Sequence, residues 1–227
     1  LTVTKALLTV KVKDVTREYG ADNPTPEVEY TGFKNGETAD VLGDELQLTY
    51  ADDITVETAV GDYSERISAS GRTSNNYDIR YEKGNVHITK IGVTASAGTA
   101  RNSYITVVLD RAVEGLTSAN FTVKDSENNV VTITGVAAAA LNKNYILNGS
   151  FAVGKEYTVT VTLTGTSADA THTMVNGEFT VKPASSGGGG GGTLHLDGTW
   201  RAAAPLTLCN LTLAGAGTLS GGGHDLT

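Results

Sequence analysis

The sequence predicts an all-β chain: tandem small domains of β-sandwich or β-grasp type, then a short β-helix-like tail. Three observations lead there. Threonine, valine and glycine dominate while only 4 Phe and 1 Trp occur, and β-branched residues suit a pleated, half-buried surface. Apolar residues alternate with polar ones in short runs, the period of a strand with one buried face. Glycine, asparagine and aspartate separate those runs at short, fairly even spacings. The 227 residues leave room for one to three domains, with enough chain in each half to bury a core.

The N-terminal residues carry an echo. Leu1-Thr2-Val3-Thr4-Lys5 reads like Val86-His87-Ile88-Thr89-Lys90, and Thr180-Val181-Lys182-Pro183 closes the next stretch in a similar way. Residues 1–5 are therefore read as the last strand of a preceding repeat, with 6–90 as one full repeat. Within it, alternation places strands at 6–13, 26–30, 45–50, 61–68, 77–81 and 85–89. Lys34-Asn35-Gly36-Glu37 is a turn by its Asn-Gly pair, Thr38 is placed to cap a short helix running to Leu42, and Glu82-Lys83-Gly84-Asn85 reads as a hairpin between the last two strands.

Residues 91–183 read as a second sandwich, with seven strands at 92–96, 103–109, 120–123, 130–136, 144–148, 156–163 and 177–181. The cleanest alternation is Tyr157-Thr158-Val159-Thr160-Val161-Thr162-Leu163, whose odd positions face a core. Tyr157 stands where sandwiches place a corner tyrosine tied back to the backbone, and a plain core tyrosine is the other reading. Residues 184–192, an alanine, two serines and six glycines, offer almost nothing to bury and read as a linker. Residues 193–227 contain Leu194-His195-Leu196, Leu206-Thr207-Leu208, Leu211-Thr212-Leu213 and Gly217-Thr218-Leu219, short strands spaced like the first coils of a parallel β-helix cut short.

Charge and chemistry narrow the function by exclusion. The net charge of −8 opposes nucleic acid, whose phosphates require a basic footprint. Residues 1–90 hold 16 acidic against 10 basic side chains, most simply a solubilising surface. No apolar run is long enough to insert in a membrane. Cys209 is the single cysteine, so no internal disulfide forms and it reads as a small apolar residue. His87, His172, His195 and His224 lack zinc-ligand spacing, and no nucleophile elbow or phosphate-cradling motif occurs. No catalytic residue and no cofactor is expected. Asp52, Asp53 and Asp62 are the candidate calcium ligands, since hard cations favour clustered carboxylates, but no EF-hand pattern accompanies them and a turn of solvated acids is the preferred reading. A Lys–Asn isopeptide crosslink would draw on Lys11 or Lys13 with an asparagine of a late strand and Glu29 between them as the assisting acid, and alternation turns both lysines outward. Trp200 reads as a coil-packing residue.

Tyr19-Gly20-Ala21-Asp22-Asn23-Pro24, Gly32-Phe33-Lys34-Asn35-Gly36-Glu37-Thr38, Val60-Gly61-Asp62-Tyr63 and Asn75-Asn76-Tyr77-Asp78-Ile79 follow one another in order. With the closing Val86-His87-Ile88-Thr89-Lys90, this stretch resembles the MBG domain of bacterial surface proteins, the type named for a Tyr-Gly signature. Val107-Val108-Leu109-Asp110-Arg111-Ala112-Val113-Glu114-Gly115-Leu116-Thr117 and Asn120-Phe121-Thr122-Val123 are similar to bacterial immunoglobulin-like repeats, and the tail resembles the start of β-helical adhesins. The resemblance implies a non-catalytic, extracellular, monomeric module of a bacterial cell-surface protein. It would serve as stalk, spacer or adhesin, the last meeting a host or matrix glycan or protein. The alternative is a carbohydrate-binding appendage of a large secreted enzyme.

Overall fold

The computed structural model describes residues 4–185, and they form β-strands, turns and three short 3-10 turns, without an α-helix. The first strands are β1 (Ala6–Val12), β2 (Val15–Glu18), β3 (Val28–Thr31), β4 (Gln47–Tyr50), β5 (Gly61–Ser70), β6 (Tyr77–Glu82) and β7 (Gly84–Thr89). They build two small mixed sheets, ordered β3-β1-β6 and β2-β7-β5-β4. Alternation along β1 buries Leu8, Val10 and Val12 completely and leaves Lys11 and Lys13 exposed, so the lysines point outward as the pattern requires. Val12, Ile67, Val86 and Ile88 share one buried cluster, and Leu8, Leu42 and Tyr77 another.

One sequence expectation fails here. Residues 77–89 are not a hairpin: β6 pairs parallel with β1 in one sheet, while β7 pairs parallel with β2 in the other. The chain changes sheets twice at the same level, between β1 and β2 and between β6 and β7. Gly84 permits it, because a Cβ there would lie 2.7 Å from the Lys13 carbonyl and 3.0 Å from Val12 Cγ1. Asp14 bridges the crossing, accepting the Asn85 N–H at 2.8 Å and its Nδ2 at 3.2 Å. β2 escapes a reading by alternation because Asp14 interrupts the run after residue 13.

The expected helix after Thr38 is a single 3-10 turn, Ala39–Val41. The Thr38 hydroxyl donates to the Asp40 carboxylate at 3.0 Å and caps no amide. The preceding turn is as expected, with Asn35 and Gly36 at positive φ and the Glu37 N–H donating to the Lys34 carbonyl at 2.9 Å. With no helix to lie across a sheet, the layout is two packed sheets and not a β-grasp.

Residues 91–181 build nine strands instead of seven: β8 (Ile91–Ala100), β9 (Tyr104–Leu109), β10 (Phe121–Asp125), β11 (Val130–Val131), β12 (Ile133–Ala139), β13 (Asn144–Gly149), β14 (Tyr157–Val161), β15 (His172–Asn176) and β16 (Glu178–Val181). The expected strand at 130–136 divides at Thr132, sending β11 and β12 to different sheets. β15 runs parallel to β8; its burial alternates from His172 to Val175, but the adjacent apolar Met174 and Val175, the latter 72% exposed, hide that alternation from the sequence. The sheets are ordered β12-β13-β9-β8-β15 and β11-β10-β14-β16, and no ladder joins either to the sheets of residues 6–89.

The core between them centres on Tyr145, which is 1% exposed, packs its ring 5.5 Å from Phe121 and donates its hydroxyl to the Val113 carbonyl. The Tyr157 hydroxyl accepts the Ala152 N–H at 2.7 Å, a tie to the backbone just upstream. Ala184, expected to open the linker, still bonds Ala100 through its N–H at 3.1 Å. Residues 1–3 and 186–227 lie outside the described residues, and with them most of the glycine linker, the β-helix-like segment, Trp200, Cys209, His195 and His224.

If Gly84 is what permits the sheet change, Gly84→Ala should cost about 1–3 kcal/mol by overpacking, measured by urea unfolding. Gly135→Ala, where the nearest atom stands 3.7 Å from the new carbon, should stay within about 0.5 kcal/mol.

Candidate functional site

For a chain of this construction the informative site is the joint between the two sheet pairs. β2 and β7 run parallel and end together, with Glu18 beside Thr89. Only Lys90 separates β7 from β8. The backbone ladder then resumes at once: the Ile91 N–H donates to the Thr171 carbonyl at 2.8 Å, and Ile91 pairs with His172.

Side chains cross this joint in both directions. Glu18 accepts the Gly92 N–H through Oε1 at 3.3 Å, and its Oε2 stands 3.6 Å from Arg111 Nη2. Lys90 donates to Asp169 at 3.1 Å, on the 3-10 turn Ser167–Ala170. Gly92 leaves room for Val175, whose Cγ2 would stand 2.8 Å from a Cβ there. Both ion pairs are partly exposed and each contributes about 0–1 kcal/mol. Restriction therefore comes mainly from the one-residue connection and the resumed ladder.

Behind Glu18, the loop from Tyr19 to Pro24 is fastened at several points. Arg17, only 6% exposed, donates to Asn23 Oδ1 at 2.8 Å and to the carbonyls of Glu18 and Thr55. Asn23 Nδ2 donates to the Ile54 carbonyl at 2.9 Å, and the Tyr50 hydroxyl to the Pro24 carbonyl at 2.7 Å. The Tyr19 N–H reaches the Thr89 carbonyl at 2.9 Å, and Gly20, at φ +77°, sends its N–H to the Val56 carbonyl at 3.1 Å. A buried guanidinium satisfied by fixed oxygens holds that loop in place, and with it the base of Glu18.

Residues 8–87 match the family model of the MBG domain (YGX type). MBG domains are modules typical of bacterial surface proteins. No curated protein matches the chain.

On the MBG module, the structure disperses the three carboxylates considered for calcium. Asp52 and Asp53 lie in the turn after β4, where Asp53 stands 3.3 Å from Arg66 Nε. Asp62, on β5, bonds His87 Nδ1 at 2.7 Å. Among the described residues no three His, Cys, Asp or Glu side chains gather as a metal-ligand set. His172 meets the Thr171 hydroxyl at 2.8 Å.

The sequence missed two groupings. One is Glu18 with Gly92 and Arg111, for which the Thr-Lys echo marked the place but not the partner. The other is His87 between carboxylates: Asp62 lies directly opposite it across β5 and β7, and Asp14 Oδ2 stands 3.9 Å from its Nε2. The hydrogen bond to Asp62, aided by the charge of both carboxylates, raises the His87 pKa above 6.5. The Asn85 N–H holds Asp14 below 3.8. The histidine contribution to stability is complete below pH 6.5 and is lost as pH rises through the higher folded value. The Asp14 contribution is complete above pH 3.8 and is lost as pH falls through its lower folded value. Both act in full only between these two limits.

Asp62→Asn should lower the His87 titration midpoint, followed through its ring Cε1–H signal by NMR. An unchanged midpoint would show that the pairing does not exist in solution.

Proposed function

We propose that this chain is a non-catalytic extracellular spacer of a bacterial cell-surface protein, in which an MBG module and an immunoglobulin-like sandwich at 91–183 are coupled end to end as one stiff unit. The observation that carries this reading is the single-residue connection at Lys90, across which the hydrogen-bonded ladder resumes without a gap. A flexible tether would need several residues free of such pairing. The Glu18 carboxylate adds contacts to Gly92 and Arg111 beside the chain connection, and they restrict it further. The acidic surface of the MBG module keeps such a unit soluble and discourages self-association, which fits a monomer projecting away from an envelope.

Spin labels on Ser64→Cys and Ser126→Cys, in a chain carrying Cys209→Ser, report on the joint from two exposed positions. Pulsed electron resonance should give one narrow distance peak, and Glu18→Ala should broaden it. A broad distribution in the chain with Glu18 intact would overturn the stiff-spacer reading. Binding of the same chain to a glycan array would favour the adhesive or carbohydrate-binding reading instead.

A further inference from the structure

Three asparagines of the chain stand directly before a glycine: Asn35-Gly36, Asn148-Gly149 and Asn176-Gly177. In such a pair the glycine nitrogen can attack the carboxamide of the asparagine with little hindrance, because no Cβ stands beside it. The attack needs an amide nitrogen that is not already bonded and a backbone free to rotate into a cyclic imide. The fold denies both at Asn148, which pairs with Gly135 on one side and Tyr104 on the other. Gly149 gives its N–H to the Ser103 carbonyl at 3.1 Å, and the Phe151 ring would stand 2.8 Å from a Cβ there. Asn176 pairs with Thr94, and its Oδ1 accepts the Glu178 N–H at 3.3 Å. The Gly177 carbonyl accepts the Val161 N–H at 2.7 Å, so the ladder fixes that pair as well.

Asn35-Gly36 is placed differently. Both residues are exposed at the tip of a turn. The bond that closes the turn, from the Glu37 N–H to the Lys34 carbonyl at 2.9 Å, lies outside the reacting pair. Among the described residues nothing accepts the Gly36 N–H or bonds the Asn35 carboxamide. No atom lies within 4 Å of the place a Gly36 Cβ would occupy. Asn35 also borders an open cavity of about 230 Å³ with Lys5, Lys34, Glu37, Asn75 and Asn76, which gives water access to its carboxamide.

We infer that Asn35 is a site of spontaneous deamidation selected by the fold, with water as the only co-reactant. The Gly36 nitrogen loses its proton to solvent base and bonds to Asn35 Cγ; the Cγ–Nδ2 bond breaks and that nitrogen leaves as ammonia. Water then opens the cyclic imide at either carbonyl. The products are aspartate and isoaspartate, the latter with its main chain routed through the side chain. Both add a negative charge beside Glu37. Isoaspartate also lengthens the turn by one carbon, which breaks the bond between Glu37 and Lys34. The strain passes to Tyr77, whose hydroxyl accepts the Lys34 N–H at 2.9 Å and donates to the Glu37 carboxylate. Tyr77 is buried with Leu8 and Leu42, so a change at an exposed tip reaches one of the two buried clusters of the MBG module. This inference does not depend on the spacer reading.

The test incubates the full chain at mildly alkaline pH in heavy-oxygen water and maps its peptides by mass spectrometry. Asn35 should convert to aspartate and isoaspartate, each carrying one heavy oxygen. Asn148 and Asn176 should convert at least about tenfold more slowly, because they react only in molecules whose ladder has opened locally. In urea strong enough to unfold the chain, the three sites should convert at closely similar rates. The isoaspartate form, purified from the aged chain, should unfold at a lower urea concentration than the Asn35→Asp variant, whose turn keeps its length. Conversion of Asn148 or Asn176 as fast as Asn35 in the folded chain would overturn the inference. So would a gap between the three sites that persists in urea, since the fold would then not be its cause. Equal unfolding midpoints for the isoaspartate form and Asn35→Asp would contradict the path to Tyr77.

Discussion

Lys90 leaves the chain almost no slack. The peptide before it belongs to the last strand of one sheet pair, and the peptide after it is already bonded into the first strand of the next. Every other feature of the joint follows from that constraint. Glu18 can reach Gly92 because β2 ends level with β7, and it ends level because the two strands run parallel. The ion pairs at Arg111 and Asp169 fine-tune a relation that the backbone has already restricted, which accords with the small energies of exposed pairs.

The same logic runs backward through the MBG module. A parallel pair of strands cannot be closed by a tight turn, so β1 must wait for β6 and β2 for β7 across most of the module. The two sheet changes at Asp14 and Gly84 let both pairs form from just two continuous passes of chain. In this way the first and last segments of the module lie side by side from end to end.

Much of this was legible in the sequence wherever side chains alternate. β1, β7 and β14 announce themselves by buried residues at every second position, and Asn35-Gly36 fixes its turn by the backbone conformation that it tolerates. Alternation says which face is buried but not which sheet receives it. For that reason residues 77–89 looked like a hairpin and 130–136 like one strand, when each changes sheets midway. β15 is hidden because Met174, which packs against the core, is followed at once by the equally apolar but exposed Val175. The joint is half visible: Thr89-Lys90 falls where β7 ends and β8 begins, whereas Glu18 looks like any surface acid until the fold places Gly92 and Arg111 beside it. Asp62 stands out by its charge, whereas its partner His87, 25 residues away in sequence, follows only from the register of β5 and β7.

Residual dipolar couplings of the backbone amides in the full chain test the central claim most directly. If Lys90 joins the two sheet pairs into one stiff body, a single alignment tensor will fit the amides of residues 6–89 and 91–181 together. Two tensors of clearly different magnitude would mean that the sheet pairs reorient independently, and the account of the joint would then be wrong.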